Sequence, residues 1–157
     1  MDKKPKGIDD PGAAKFMKVM AAANVWLYRR TGGRLGSHWR IGAGFRNPVP
    51  ICLVEHVGRK SGLPRTTPLV YLRDGDRVVV VASQAGRAEN PMWFGNVVAE
   101  PRVTVQIGRD RRPMLAHVAD EAERAVLWPR LVDLYPDYAS YQSWTDRVIP
   151  VVVLTPT

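Results

Sequence analysis

Cysteine is almost missing from this sequence, and what there is has no partner. Cys52, between Ile51 and the pair Leu53 and Val54, is the single cysteine in 157 residues. An internal disulfide is therefore excluded, and a reducing cytoplasm is the compartment that suits the chain. Long apolar runs are missing too. The longest nearly apolar stretch, residues 19–28, is broken by Asn24, and a bilayer-spanning helix needs about 20 such residues. A cleavable leader over residues 1–23 fits Lys3, Lys4 and Lys6, but Asp9, Asp10, Pro11, Lys15 and Lys18 interrupt its apolar part. No internal repeat or low-complexity tract occurs. His38, His56 and His117 are scattered, and no His/Cys pair has metal-ligand spacing, so no metal is expected and each histidine reads as structural or solvent-facing. Neither a Gly-Lys-Ser/Thr phosphate loop nor a Gly-x-Ser-x-Gly elbow is present.

Acidic residues are scarce in one region only. Residues 1–50 hold ten Lys or Arg against three Asp, whereas the other 107 residues hold thirteen against twelve. Nearly all of the net charge of +8 thus belongs to the N-terminal third. A high isoelectric point alone suggests nucleic acid, but no binding motif accompanies it, so no nucleic-acid partner is expected.

Residues 13–30 predict an amphipathic helix, with Phe16, Met20, Ala23 and Leu27 on one face. Arg29 and Arg30 lie where cations suit a helix end, and Thr31-Gly32-Gly33 stops it. Residues 32–50, with five glycines and two prolines, read as a loop. From residue 51 the period becomes that of strands. Strands are predicted over 51–57, 66–73, 77–83 (buried on both faces), 102–107, 113–118 and 148–154. Asn90 and Pro91 predict a helix opening there and running to 99. Asp120 with Glu123 predicts a capped helix over 122–135, kinked or broken near Pro129, followed by a short helix over 137–144. Six strands joined by hairpins exclude a parallel doubly wound sheet and point to a closed or partly closed antiparallel barrel with helices, an α+β chain. The expected organisation is a basic N-terminal helix and Gly-rich loop over 1–50, and a split β-barrel over 51–157.

The connection Gly58-Arg59-Lys60-Ser61-Gly62-Leu63-Pro64-Arg65-Thr66-Thr67 puts three cations and three hydroxyls on a turn-forming frame. Arginine forks, a lysine point charge and loop N–H groups suit a phosphate or carboxylate. On composition alone a solvated hairpin tip is the stronger reading. Tyr135, Tyr138, Tyr141 and Trp144 recur every three residues, which sets an aromatic row on one helical face. Core packing explains such a row by default, whereas Asp137, Ser140 and Gln142 favour a wall against a planar ligand.

The ordered set of stretches GRKSGLPRTTPL (58–69), YLRDG (71–75), AS (82–83), NPMW (90–93), WP (128–129), LYP (134–136) and YQSWTDRVIPVV (141–152) resembles the deazaflavin-dependent nitroreductase family of actinobacteria. The likeness is greatest to its nitroimidazole-activating members and covers about residues 54–156. It implies a split β-barrel of the FMN-binding kind that holds coenzyme F420, an 8-hydroxy-5-deazaflavin whose tail carries a phosphate and glutamates. By that resemblance Arg59, Lys60 and Arg65 take the phosphate, and Thr67 and Pro68 follow the ribityl chain. Ala82 and Ser83 lie against the ring, and Met92 and Trp93 wall the pocket. Ser83, Tyr135, Tyr138 and Tyr141 orient the acceptor. The sequence departs from the family pattern at Gln84 and Ala85, where a basic or aromatic residue and a glycine are more usual. It departs again at Phe94-Gly95, where a tyrosine with a larger neighbour is common.

The implied activity is hydride transfer from reduced F420 to a planar, electron-poor acceptor, a quinone such as menaquinone or a nitroaromatic. An FMN-dependent oxidoreductase on the same fold and a non-catalytic deazaflavin carrier are the alternatives. The basic helix suits peripheral contact with an anionic membrane on its cytoplasmic face, or alternatively a cap with its apolar face turned onto the barrel. Monomer and homodimer both remain open.

Overall fold

A computed structural model describes residues 3–7, 9–39, 44 and 46–157. Residues 40–43 and 45 of the expected glycine-rich loop lie outside the described residues. The chain runs α1 (Pro11–Thr31), β1 (His38–Trp39), β2 (Val49–Val57), β3 (Pro64–Asp74), β4 (Arg77–Val81), a 3-10 turn (Gln84–Gly86), α2 (Met92–Ala99), β5 (Arg102–Ile107), β6 (Asp110–Val118), α3 (Glu121–Leu134), α4 (Asp137–Ser143) and β7 (Val151–Pro156). All strand pairings are antiparallel, in the order β2-β3-β4-β7-β6-β5, and β5 returns to β2. Six strands therefore close a barrel, and the two-residue β1 is added at the edge of β2. The expected α+β barrel is the observed one.

Alternation along the strands sorts the core into two layers, because successive side chains leave a strand on opposite faces. In β4, Val78 and Val80 point into the barrel with Cys52, Val54, Val152 and Leu154, and Trp93 and Val97 of α2 plug one end. Val79 and Val81 point outward with Val151 and Val153, under Leu127 and Leu131 of α3 and Tyr135 and Tyr138. This explains four consecutive valines: the strand is covered on both sides. Leu127 and Leu131, one helical turn apart and almost fully buried, each contribute roughly 1.5–3 kcal/mol by leaving water.

The helices deviate from the sequence expectation in informative ways. α2 starts at Met92 with Pro91 as its cap, not at Asn90, because the Asn90 side chain accepts from Arg147 Nη1 at 2.8 Å. α3 runs through Pro129 unbroken. The carbonyl that loses a donor there belongs to Ala125, an exposed residue, so water can take its place. Asp120 does cap α3, accepting from the Glu123 N–H at 2.8 Å. The Glu123 carboxylate turns instead to Arg77 and His117, so only half of the capping box forms. β7 begins at Val151 rather than 148, because Gln142 holds the preceding segment by accepting from the Ile149 N–H at 2.9 Å.

α1 is capped by Asp10, whose carboxylate accepts from the Gly12 N–H, and it ends at Gly32 in the left-handed region (φ 58°). It attaches through its last turns. The Tyr28 hydroxyl accepts from the Gly108 N–H at 2.7 Å, and Arg29 Nη2 reaches Glu55 and Thr66. Phe16, Val19, Met20 and Trp26 remain more than half exposed, so the apolar face is not turned onto the barrel.

Candidate active site at the barrel mouth

Antiparallel pairing brings one set of connections to the same end of the barrel. The β2–β3 loop, the β4–α2 segment, the start of β7 and the end of β6 all lie there. Of the residues that the sequence pointed to, Arg59 and Lys60 lie in the β2–β3 loop, Arg65, Thr67 and Pro68 in β3, Ala82 and Ser83 in the β4–α2 segment, Met92 and Trp93 in α2, Tyr135 at the end of α3, and Tyr138 and Tyr141 in α4.

Arg59 and Lys60 of the cationic loop, residues 58–63, and Arg65 at the start of β3 are exposed. Among the described residues none of the three meets a carboxylate. Its frame is fixed by the Gly58 N–H donating to the Leu63 carbonyl at 2.9 Å and the Gly62 N–H to the Gly58 carbonyl at 2.7 Å. The Arg59 side chain folds over α2 and donates from Nη1 to the Met92 carbonyl at 3.4 Å. A Cβ on Gly95 would overlap that guanidinium. The lack of a Cβ at Gly95 lets the exposed Arg59 side chain lie against α2 in this arrangement.

Beneath the loop lies a buried polar chain that sequence reasoning missed. The Arg59 N–H donates to Asn96 Oδ1 (3.1 Å), Asn96 Nδ2 meets His56 Nδ1 (3.2 Å), and His56 Nε2 meets Thr67 Oγ1 (2.9 Å). Burial first, and then the adjacent Arg65 cation, lower the His56 pKa below the ordinary histidine range. Three separate stretches of chain supply these partners, so no local spacing announces them.

The second wall is the segment after β4. Ala82 is buried in the barrel interior and Ser83 is half-buried beside it. Arg147 holds this segment: Nε donates to the Arg87 carbonyl (2.9 Å), Nη1 to Ala82 (3.2 Å) and Nη2 to Ser83 (2.7 Å). With Asn90 this makes four acceptors on one guanidinium. Gln84 and Ala85 adopt φ of 44° and 53°, a region that disfavours side chains. Ala85 therefore occupies a conformation that glycine adopts freely, at the position where the resemblance led one to expect glycine. Gly86, also left-handed, approaches α4 so closely that a Cβ would lie 2.7 Å from the Tyr141 carbonyl oxygen.

The aromatic row divides. Tyr135 and Tyr138 are 3% and 4% exposed, packed edge-to-face in the outer core layer. Tyr141 is half-buried, shares a hydroxyl contact with Tyr135 at 3.3 Å, and stacks obliquely on Trp144. Burial raises all three phenol pKa values. An open cavity of about 400 Å³ is lined by Tyr141, Trp144, Ser140, Asp137 and Ala85, with Lys3 and Pro5 at its rim. Of the three tyrosines, Tyr141 alone lines it. Trp93 is buried, and Met92 is exposed beside the cationic loop.

Residues 20–156 match the profile of the family described as F420H(2)-dependent quinone reductase. The chain belongs to that family. It is an oxidoreductase of the F420-dependent class, as the sequence resemblance implied, although the family description names quinones and not nitro compounds. A Mycobacterium tuberculosis protein assigned to the F420H(2)-dependent quinone reductases is 56% identical over 117 residues, covering 74% of this chain and 98% of the relative. A second M. tuberculosis F420H(2)-dependent quinone reductase is 37% identical over 145 residues, 83% of this chain and 95% of its own. A solved F420-H2-dependent reductase superposes with a TM-score of 0.63 at 40% identity, over 67% of this chain and 93% of that one.

The residues present fit the coenzyme. An exposed cationic loop suits a phosphate and a carboxylate-bearing tail. At the same end Trp93 and Ala82, both buried, make the adjoining interior apolar.

Proposed function

We propose that this chain reduces a quinone with reduced coenzyme F420, gripping the coenzyme at the Gly58–Arg65 loop and presenting the acceptor at the Ser83–Tyr141 side. The observation that carries the reading is the convergence of both sides on one barrel mouth. Bound reduced F420 supplies a hydride, and the protein supplies position and electrostatics. Arg59, Lys60 and Arg65 neutralise the anionic tail, with Thr67 and Pro68 alongside the ribityl chain. Ala82, Met92 and Trp93 confine the ring and exclude water. Arg147 fixes the Ser83 turn, so that the Ser83 hydroxyl and the Tyr141 phenol donate to the acceptor oxygen on which charge develops. Tyr135 holds the Tyr141 hydroxyl, and Tyr138 backs the wall. The phenols stay protonated because burial raises their pKa.

Nitroaromatics fit the same cavity as secondary acceptors, since a nitro oxygen accepts the same hydrogen bonds. Residues 51–157 form the coenzyme-binding unit. α1, with exposed Phe16, Met20 and Trp26 beside Lys15 and Lys18, rests on an anionic membrane surface from which a lipid-soluble quinone is drawn. Among the described residues no helix is long and apolar enough to cross a membrane. Sedimentation with anionic vesicles, before and after removal of residues 1–30, tests the membrane contact. Sedimentation velocity separates monomer from homodimer. The function itself is tested by anaerobic oxidation of reduced F420 with menaquinone and with a nitroimidazole, run beside reduced FMN. Reaction with FMN alone would identify the flavin enzyme, and binding without turnover would identify the carrier.

A further inference from the structure

The buried chain beneath the loop has a direction, and we infer that His56 and Asn96 are positioning residues that set Thr67 as a hydrogen-bond donor to a phosphate oxygen of the bound coenzyme. The inference rests on the proposed coenzyme site. The direction follows from one fixed end. The Arg59 backbone N–H can only donate, so the Asn96 atom facing it at 3.1 Å is the carbonyl oxygen. The amide nitrogen of Asn96 therefore faces His56 Nδ1, and an NH₂ group can only donate. His56 Nδ1 must then be the unprotonated nitrogen of a neutral ring, which leaves the proton on Nε2. That nitrogen donates to Thr67 Oγ1 at 2.9 Å. The Thr67 hydroxyl has accepted on the protein side, and among the described residues none takes its own proton.

The surroundings identify the chemistry of the group that takes it. Arg65 lies opposite His56 in the β2–β3 register, and on β3 it projects to the same side as Thr67, two residues on. A threonine donor next to a guanidinium suits an anionic oxygen. The same Asn96 contact ties the Arg59 backbone to α2, so one chain fixes both the loop and the donor. A protonated His56 would break it, because Nδ1–H would face the Asn96 NH₂ group. Turning the amide over would only move the conflict to the Arg59 N–H.

Fluorescence titration of the 157-residue chain with coenzyme F420, and with 8-hydroxy-5-deazaflavin carrying the ribityl chain but no phosphate, tests this. Thr67→Val should raise the Kd for F420 about tenfold and that for the phosphate-free deazaflavin, which Thr67 meets only along the ribityl chain, by much less. His56→Phe should give a similar loss, and His56→Gln, which can accept from Asn96 and donate to Thr67, should restore most of the affinity. In a Thr67→Val background, His56→Phe should add little, since both act through one hydroxyl. Should His56→Phe not fold, the Thr67→Val selectivity and the His56→Gln titration still decide the matter. Equal losses for both ligands, additive losses in the double variant, or no loss in Thr67→Val would overturn the inference. Failure of the unaltered protein to bind F420 would instead overturn the coenzyme site itself.

Discussion

Replacing Arg147 by alanine is the most informative single perturbation of the mouth. Its guanidinium donates to three carbonyls and one amide oxygen spread over residues 82–90. Hydrogen bonds from a charged donor are worth about 1.5–3 kcal/mol each, but bonds from one group are not additive, and this one is partly exposed. Burial also lowers the Arg147 pKa, so part of the gain is offset by desolvation. A net loss of about 3 kcal/mol is reasonable. In a domain of this size each kcal/mol shifts Tm by about 2–4 °C, so Arg147→Ala should melt about 6–12 °C lower by calorimetry. Arg147→Lys keeps the charge but cannot span acceptors on both sides of the turn, and should recover less than half of that. Because Ser83 is among the released groups, turnover should fall more steeply than coenzyme affinity. A variant that melts within about 2 °C of the unaltered protein with normal turnover would refute the view that Arg147 builds the acceptor wall.

Other outcomes follow from the same geometry. Lys60→Ala with Arg65→Ala should weaken F420 binding at low salt far more than at high salt, because the lost contacts are electrostatic and exposed. Tyr141→Phe should lower turnover about tenfold with coenzyme affinity kept, whereas Tyr138→Phe, sealed in the outer core layer, should change turnover little; stopped-flow comparison of the two decides which phenol meets the acceptor. Ala85→Gly should stabilise the chain by about 1 kcal/mol by relieving the left-handed turn, read as a rise in Tm. Cys52 is fully buried and its thiol is pushed up to about 12; it should resist a thiol reagent at pH 8 until the protein unfolds. Since the folded value lies above the unfolded one, its contribution to stability is complete below about pH 9 and is lost as pH rises toward 12.

Most of the frame was legible because each element carries its own signal. The four valines of β4, the Asp74-Gly75 turn and the Asp120 cap are local patterns, and the strand periodicity led directly to a barrel. The cationic loop was legible for the same reason: its residues are consecutive. Arg147, Asn96 and His56 were not. Asn96 meets Arg59 and His56, 37 and 40 residues away, and Arg147 meets Ser83, 64 residues away, and only the fold decides which residues meet. The aromatic row shows the limit from the other side. A three-residue spacing places tyrosines on one helical face but does not say what that face covers. The observed answer is mixed: two rings packed on the outer barrel surface and one at a cavity. β1 gave no signal because two residues within a glycine-rich stretch hold no period.

In the proposed function, one barrel mouth couples the F420 loop to a quinone acceptor side. Anaerobic mixing of the protein with reduced F420 and menaquinone, followed by the deazaflavin absorbance, tests it most directly. The expected result is stoichiometric F420 oxidation matched by hydroquinone formation, saturable in both reactants and strongly slowed by Arg147→Ala. Oxidation of reduced FMN but not of reduced F420, or tight F420 binding with no oxidation by any quinone, would contradict it.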